Sequence, residues 1–375
     1  MAAVGKVLIV GGGVAGLALA ICLRRRGIAC EIAEQKRDWS VLGVGFSLTG
    51  PMLRALAAVG VRDRCIAVAC PYNEIVINDR LGKRLAVLPM QRLNGPDLPA
   101  NVGIMRPLLH SILAAEAQAA GAGIRLGLSV SAIDQSDAAV TVRFTDGSVG
   151  SYDLVVGADG FRSRVRALAF PDAPRPFYTG QMVWRFMLKR PPELDTMHLF
   201  YGSNGKPGFV PLPDGEALLF FTQNAAERVR LDEKRLWDIL RASLADYGGF
   251  MAMARDQLDP ASKVSYRYMD ALMMPAPWYR GRVILIGDAA HITSPHVASG
   301  AAIATEDAVL LAELLSGENV LVRALEGFMA RRFARCKLVV ENSLQLGEWE
   351  KDPATPAAQV STLMRQTWAT LAEPI

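Results

Sequence analysis

Three short stretches hold the residues whose types and spacing suit chemistry. In "KVLIVGGGVAGLALAICLRRRGIACEIAEQ" an apolar run ends in Gly11-x-Gly13-x-x-Gly16 and a helical pattern follows. Gly11 permits the tight turn, Gly13 lets the backbone approach a pyrophosphate, and Gly16 lets the helix close on the strand. The anion then sits at the amide-rich end of the helix, whose first turn contains Ala15 and Gly16. The next apolar run ends at Glu34, 23 residues after Gly11, with Gln35 following. A carboxylate there accepts hydrogen bonds from an adenosine ribose. Gly121-Ala122-Gly123 precedes a strand rather than following one, so it reads as a plain turn.

The other two stretches each end a strand in an aspartate. "YDLVVGADGFRSRVR" turns at Asp159-Gly160, with Ser163 and Arg166 entering a helix, and "RVILIGDAAHITSPHVASGAAIATEDA" turns at Gly287-Asp288. An aspartate at the carboxyl end of a strand faces the crevice where open α/β sheets bind ligands. Taken singly, each reads better as a turn residue or an N-cap.

Taken together, and in this order, the three motifs resemble the single-component (class A) flavoprotein hydroxylases, the family of p-hydroxybenzoate hydroxylase. The resemblance covers nearly the whole chain. It implies FAD, with its pyrophosphate on the first glycine loop and Asp288 on the ribityl chain. Asp159-Gly160 with Arg166 is associated there with FAD and NAD(P)H. Smaller matches put Ser47 in the loop under the flavin, Arg106 at a FAD-contacting arginine, and the Val130 backbone beside the adenine. Pro295, Gly300, Ala301 and Ala302 match the segment lining the isoalloxazine. The chain departs from the family's P-x-x-G-Q-G-x-N pattern, with Val297, Ser299 and Ala302 where Gly, Gln and Asn are common. The run Pro295-His296-Val297-Ala298 is most similar to the subgroup acting on salicylate and 6-hydroxynicotinate.

The expected architecture is α/β: a Rossmann-like FAD-binding domain with an inserted mixed β-sheet substrate domain and a C-terminal helical tail. The FAD-binding domain takes residues 1–70, 101–176 and 269–318, the substrate domain 71–100 and 177–268, and the C-terminal helices 319–375. Strand-like runs in 71–100 and 177–268 are set against one helical stretch at 234–244, and a break at Pro353 to Pro356 separates two terminal helices.

The implied reaction is hydroxylation of a small electron-rich aromatic or heteroaromatic ring of phenol, hydroxybenzoate or hydroxypyridine type. NAD(P)H and O2 are co-substrates, and the flavin carries the oxygen as a C4a-hydroperoxide. Such a substrate gains from deprotonation, which calls for a base or a cationic partner. His296 is the candidate base, and it reads equally as a surface or helix-capping histidine. Arg185, in "MVWRFML", shares a strand face with Gln181, Val183 and Met187. A lone charge there needs a partner, either a substrate anion or an internal carboxylate. Tyr178, Tyr201 and Lys206 are weaker candidates, while His110, His198 and Trp184 read as structural. Alternatives are a flavin reductase or halogenase-like enzyme, although the WxWxIP signature and a redox CxxC are absent, and a non-catalytic dinucleotide-binding regulator.

Bulk properties bound the remaining possibilities. A net charge of +4 over 375 residues is too small to imply nucleic acid. Five cysteines without a CxxC pair, and four histidines without HxH or HExxH spacing, suggest a reduced cytoplasmic protein without a metal. The apolar run from Val7 to Leu23 is broken by glycines, and Glu306, Asp307 and Glu313 interrupt the later one, so no integral membrane segment is expected. Either a monomer or a homodimer fits.

Overall fold

In the computed structural model, which describes residues 2–39, 43–202, 205–352 and 354–375, Lys6–Val10 lies inside a six-stranded sheet. The order across it is Tyr279–Arg280, Val283–Leu285, Leu154–Gly157, Lys6–Val10, Ala29–Glu34, Gly123–Leu126. All neighbours run parallel except the first pair. The central strands Lys6–Val10, Leu154–Gly157 and Val283–Leu285 are almost continuously apolar, as parallel strands are when covered on both faces. Val14–Arg25, buried from Ala15 to Leu23, packs on the sheet and on helices Arg106–Ala119 and Gly300–Gly317.

The register explains how distant motifs meet. Val10 pairs with Gly157 on one side and Ala33 on the other, and Gly157 pairs with Leu285. Strands so aligned release their chains at one edge. The turns at Gly11, Asp159 and Asp288, together with Glu34, therefore leave the sheet side by side.

Residues 71–100 and 177–268 contribute to one eight-stranded mixed sheet. Its long strands are Phe177–Lys189, Glu216–Asn224 and Val264–Met273, and its single parallel pairing joins Met197–Tyr201 to Glu74–Asp79. Val264–Met273 runs past residue 268 and pairs with His291–Ile292, just beyond Asp288. Alternation assigns the two faces. Trp184, Phe186, Leu219 and Phe221 pack under helices Leu236–Ser243 and Phe250–Asp256. Met187, Leu218 and Phe220 turn the other way, toward Tyr72 and Met105. Contact between the layers is close, since a Cβ on Gly45 would collide with Leu212 and one on Gly103 with the Pro211 carbonyl.

Leu321–Lys351 and Ala357–Ala372 form the tail, and Pro353 lies outside the described residues. Arg54 and Arg335 donate to the last carbonyls of the second of these helices, as cations do at helix C-termini. Among the described residues, no helix is long and apolar enough to cross a membrane. The helix Phe250–Asp256 and the antiparallel trio Val130–Gln135, Val140–Phe144 and Val149–Tyr152 go beyond the sequence expectations.

Candidate active site

Gly11 adopts φ +108°, and a Cβ there would overlap the Ala158 carbonyl. At Gly16 a Cβ would overlap the carbonyl of Gly11, which is the close packing the spacing implies. Gly13 is different: nothing lies within 4 Å of where its Cβ would stand. It precedes a helix whose first turn has no acid and no side-chain cap. Those unpaired amides, beside open space, form a seat for an anion. Ala15 sits in that first turn and is within 3.4 Å of a Cβ built on Gly287, so the first and third motifs touch.

Glu34 braces the same loop. Its two carboxylate oxygens accept from the Gly12 amide at 2.8 Å and the Lys36 amide at 2.9 Å. Each oxygen retains a lone pair for a further donor, and Gln35 beside it is exposed. Leu128 N–H donates to the Glu34 carbonyl, bringing the start of the Val130 strand alongside. His110 and Trp39 were not anticipated in this role. His110 Nε2 donates to the Gly12 carbonyl at 2.8 Å, and its ring packs at 5.1 Å on Trp39. The usable signal was spacing, because His110 follows Arg106 by four residues on one helix face.

Ser163 is the N-cap of Arg164–Ala169, its hydroxyl accepting from the Arg166 amide at 2.9 Å, and Asp159 supports that first turn. Its carboxylate accepts from Ser163 Oγ and from the Arg164 and Val165 amides at 2.5, 2.6 and 3.1 Å. Arg166 turns back to donate to the Ala289 carbonyl at 2.8 Å, joining the second motif to the third. Asp288 has no such engagement. Its side chain is open to solvent, yet burial among surrounding atoms raises its carboxyl, against the pull of His291 and Arg106. Arg106 is likewise open at its surface and lowered by burial, with Asp288 opposing. Two opposite charges thus lie close enough to act on each other without forming an ion pair.

The Gly287-Asp288 turn is anchored from behind. Asp307 accepts from the Gly287 amide at 2.9 Å, from His291 Nε2 at 2.7 Å and from Arg332 Nε at 2.7 Å. Arg332 also reaches Glu306, and all four side chains are at most 1 % exposed. His291, Asp307 and Cys336 could together hold a metal ion by distance. The Arg332 guanidinium already contacts both Asp307 and Cys336, so the cluster is built around a cationic side chain.

Ser47 lies on Gly45–Leu48, paired with the strand that leads into Arg106, and its hydroxyl contacts the Tyr72 hydroxyl. Pro295 and Ala298 are exposed on the loop before Gly300–Gly317, while Ala302 is buried. Gly300 and Ala301 open that helix, again without an acid or side-chain cap. Ala298 adopts φ +55°, so the position in this loop that favours glycine is 298.

His296 is neither a surface residue nor a cap. Its side chain is 1 % exposed, with Nδ1 2.8 Å from Ser294 Oγ and Nε2 3.6 Å from a Glu350 oxygen. Burial lowers its pKa to about 4, Glu350 opposing and Lys206 and Lys351 assisting, so the ring is neutral. Arg185 faces the first domain, paired across the sheet with Phe220 and Ser265. No carboxylate acts on it among the described residues. Burial, then Arg106 and Arg267, push it down to about 10. The buried hydroxyl of neighbouring Ser265 has no hydrogen-bond partner. Trp184 packs in the opposite core and donates to Gln223, while His198 contacts Asn78. Tyr178 donates to the Ala225 carbonyl, and Tyr201 is exposed.

An anion seat at a glycine loop, a ribose-type acid and the neighbouring, solvent-open Asp288 and Arg106 fit an extended FAD. A mixed sheet closes over them. This is the fold and site of an FAD-dependent monooxygenase of the aromatic hydroxylase class. The chain belongs to the family described as "FAD binding domain", whose model matches residues 5–343. It is 31 % identical over 359 residues to Aurachin C monooxygenase/isomerase of Stigmatella aurantiaca, covering 92 % of this chain and 90 % of the relative. It is 30 % identical over 360 residues to 3-hydroxybenzoate 6-hydroxylase of Polaromonas naphthalenivorans, with 91 % and 87 % covered. Klebsiella pneumoniae HpxO, solved with FAD and uric acid, shares the fold at a TM-score of 0.85 and 24 % identity, covering 98 % of this chain and 94 % of that one.

Proposed function

We propose that this enzyme hydroxylates an acidic, electron-rich aromatic or heteroaromatic ring with NAD(P)H and O2, and that Arg185 receives the ring's carboxylate or phenolate. The observation that carries this reading is the Arg185 guanidinium, half-buried on the face turned to the first domain without a carboxylate among the described residues. A largely desolvated cation of this kind calls for an anion. Ser265, with its unpaired hydroxyl beside it, offers that ligand a second polar contact.

FAD, once reduced by NAD(P)H, supplies the oxygen chemistry, while the protein binds, orients and excludes water. In this reading the Gly13 loop and Ala15–Gly16 take the pyrophosphate, and Glu34 and Gln35 the ribose. Val130 takes the adenine edge, and Asp288 and Arg106 the middle of the cofactor. Ser47, Pro295 and the amides of Gly300, Ala301 and Ala302 border the flavin ring, where a helix N-terminus favours negative charge. Asp159 contributes by shaping its turn. His296 acts from behind the Pro295 loop as a neutral ring. Residues 1–70, 101–176 and 269–318 form the cofactor domain, 71–100 and 177–268 the substrate domain, and 319–375 the closing helices. The free cysteines suit a reducing cytoplasm.

The test is NAD(P)H oxidation by the FAD-loaded protein against phenols, salicylates and hydroxypyridines, with peroxide quantified. Stimulation by an acidic aromatic without matching peroxide is expected. No stimulation by any acid, or stimulation wholly accounted for by peroxide, would contradict the proposal.

A further inference from the structure

Glu350 stands in the last turn of Leu321–Lys351, far in sequence from every motif above. Its side chain is only 10 % exposed. Two groups of the substrate sheet grip the carboxylate: the Lys206 ammonium forms an ion pair, and the Thr222 hydroxyl donates a hydrogen bond. Across from it lies Nε2 of His296, 3.6 Å from Glu350 Oε2, just beyond hydrogen-bond length. Both atoms are buried and, the Lys206 ion pair aside, neither has another hydrogen-bond partner among the described residues. The helix comes this close because residue 347 has no side chain. A Cβ on Gly347 would stand 3.0 Å from His296 Cε1 and 2.8 Å from Gln181 Oε1. His296 is thus enclosed by Ser294 on its own loop, Gln181 on the sheet, and Gly347 and Glu350 on the helix. Lys206 from the sheet and Lys351 from the helix are the nearby cations.

We propose that Glu350 is a positioning residue of the hydroxylase: its carboxylate holds His296 as the Nε2–H tautomer, and the ring thereby fixes the Ser294 hydroxyl in the loop beside the flavin. The inference rests on the function proposed above. An ionised carboxylate only accepts, so the ring proton belongs on the nitrogen facing it. Nδ1 is then an acceptor, and at 2.8 Å the Ser294 hydroxyl donates to it. With its proton committed to Nδ1, Ser294 presents lone pairs alone to any other neighbour. Pro295, which follows directly, inherits a fixed loop.

The experiment uses the FAD-loaded protein with its four histidines labelled with 15N in the imidazole ring. The His296 signal, assigned by loss in His296→Gln, should report the Nε2–H tautomer in the unmodified protein. In Glu350→Gln the carboxamide can donate to Nε2, so the ring should shift toward Nδ1–H, and Glu350→Asp should restore Nε2–H. In parallel, Glu350→Gln should lower kcat for substrate-stimulated NAD(P)H oxidation about tenfold with KM within about twofold. It should add nothing in a His296→Gln background. An Nδ1–H or doubly protonated ring in the unmodified protein would overturn the proposal, whether or not the variants fold. So would an unchanged tautomer in Glu350→Gln, or losses that multiply with those of His296→Gln. If the unmodified protein oxidises NAD(P)H no faster with any aromatic, the function fails, while the tautomer still decides the role of Glu350.

Discussion

Replacing Arg185 by methionine removes the guanidinium while keeping most of the apolar stem, and it should affect binding and stability in opposite directions. A hydrogen bond between charged groups contributes about 1.5–3 kcal/mol. Its loss should raise KM for an acidic aromatic roughly 10- to 150-fold. A methyl ester or amide of the same ring lacks the anion, so its KM should change by less than about threefold. Stability should respond the other way. Burial, with Arg106 and Arg267 assisting, lowers Arg185 to about 10, which at about 1.4 kcal/mol per tenfold is a penalty on the order of 3 kcal/mol for holding the charged form there. Arg185→Met removes that penalty, so the melting temperature of the FAD-free protein should hold or rise. The assay pairs NAD(P)H oxidation on the acid and its ester with thermal melts of both proteins. An unchanged KM for the acid refutes substrate contact. A melting temperature several degrees lower refutes the absence of an internal partner, because breaking a buried pair is strongly destabilising.

Other substitutions separate cofactor binding from folding. Asp288→Leu should weaken FAD binding at least about tenfold in a flavin-fluorescence titration, with the FAD-free fold no less stable, since its solvent-open carboxyl is raised rather than paired. Gly287→Ala should cost about 1–2 kcal/mol in urea melts, because φ is +59° and the new Cβ would stand 3.2 Å from that of Ala304. Ala298→Gly should instead gain up to about 1 kcal/mol by relieving a left-handed alanine, offset by greater freedom of the unfolded chain. Acid should unfold the protein through the buried network. Burial raises Glu306 and Asp307, but Arg332 with Arg335, and His291 with Arg332, respectively hold them below their ordinary 4.5 and 3.8. Their contribution is therefore complete above that range and lost as pH falls through the depressed values. Asp307→Asn should flatten the decline in melting temperature below about pH 4.

The cofactor frame was legible because backbone geometry dictates it. Gly11, Gly13 and Gly16 stand where a strand must turn into a helix, and parallel registry carries the three motif turns to one edge. Asp159 shows the limit of reading one residue at a time. Its type alone suits a turn residue or an N-cap better than a ligand contact, and only the positions of Ser163 and of the Arg164 and Val165 amides show that its carboxylate braces the first turn of a helix capped by Ser163. Arg185 was legible as a charge needing a partner, whereas the absence of a nearby carboxylate among the described residues depends on packing across several strands. Glu350 gave no signal at all. It reads as one charge on a long amphipathic helix, and its importance comes from meeting Lys206, Thr222 and His296, residues far apart along the chain.

The most direct measurement is oxygen transfer itself. The FAD-loaded protein, NAD(P)H and the best acidic aromatic of the panel would be incubated under 18O2, and the product mass determined. One 18O atom per product ring is expected, with oxidation of one NAD(P)H for each. A product carrying oxygen from water, or an unaltered ring with all the oxygen recovered as peroxide, would contradict hydroxylation.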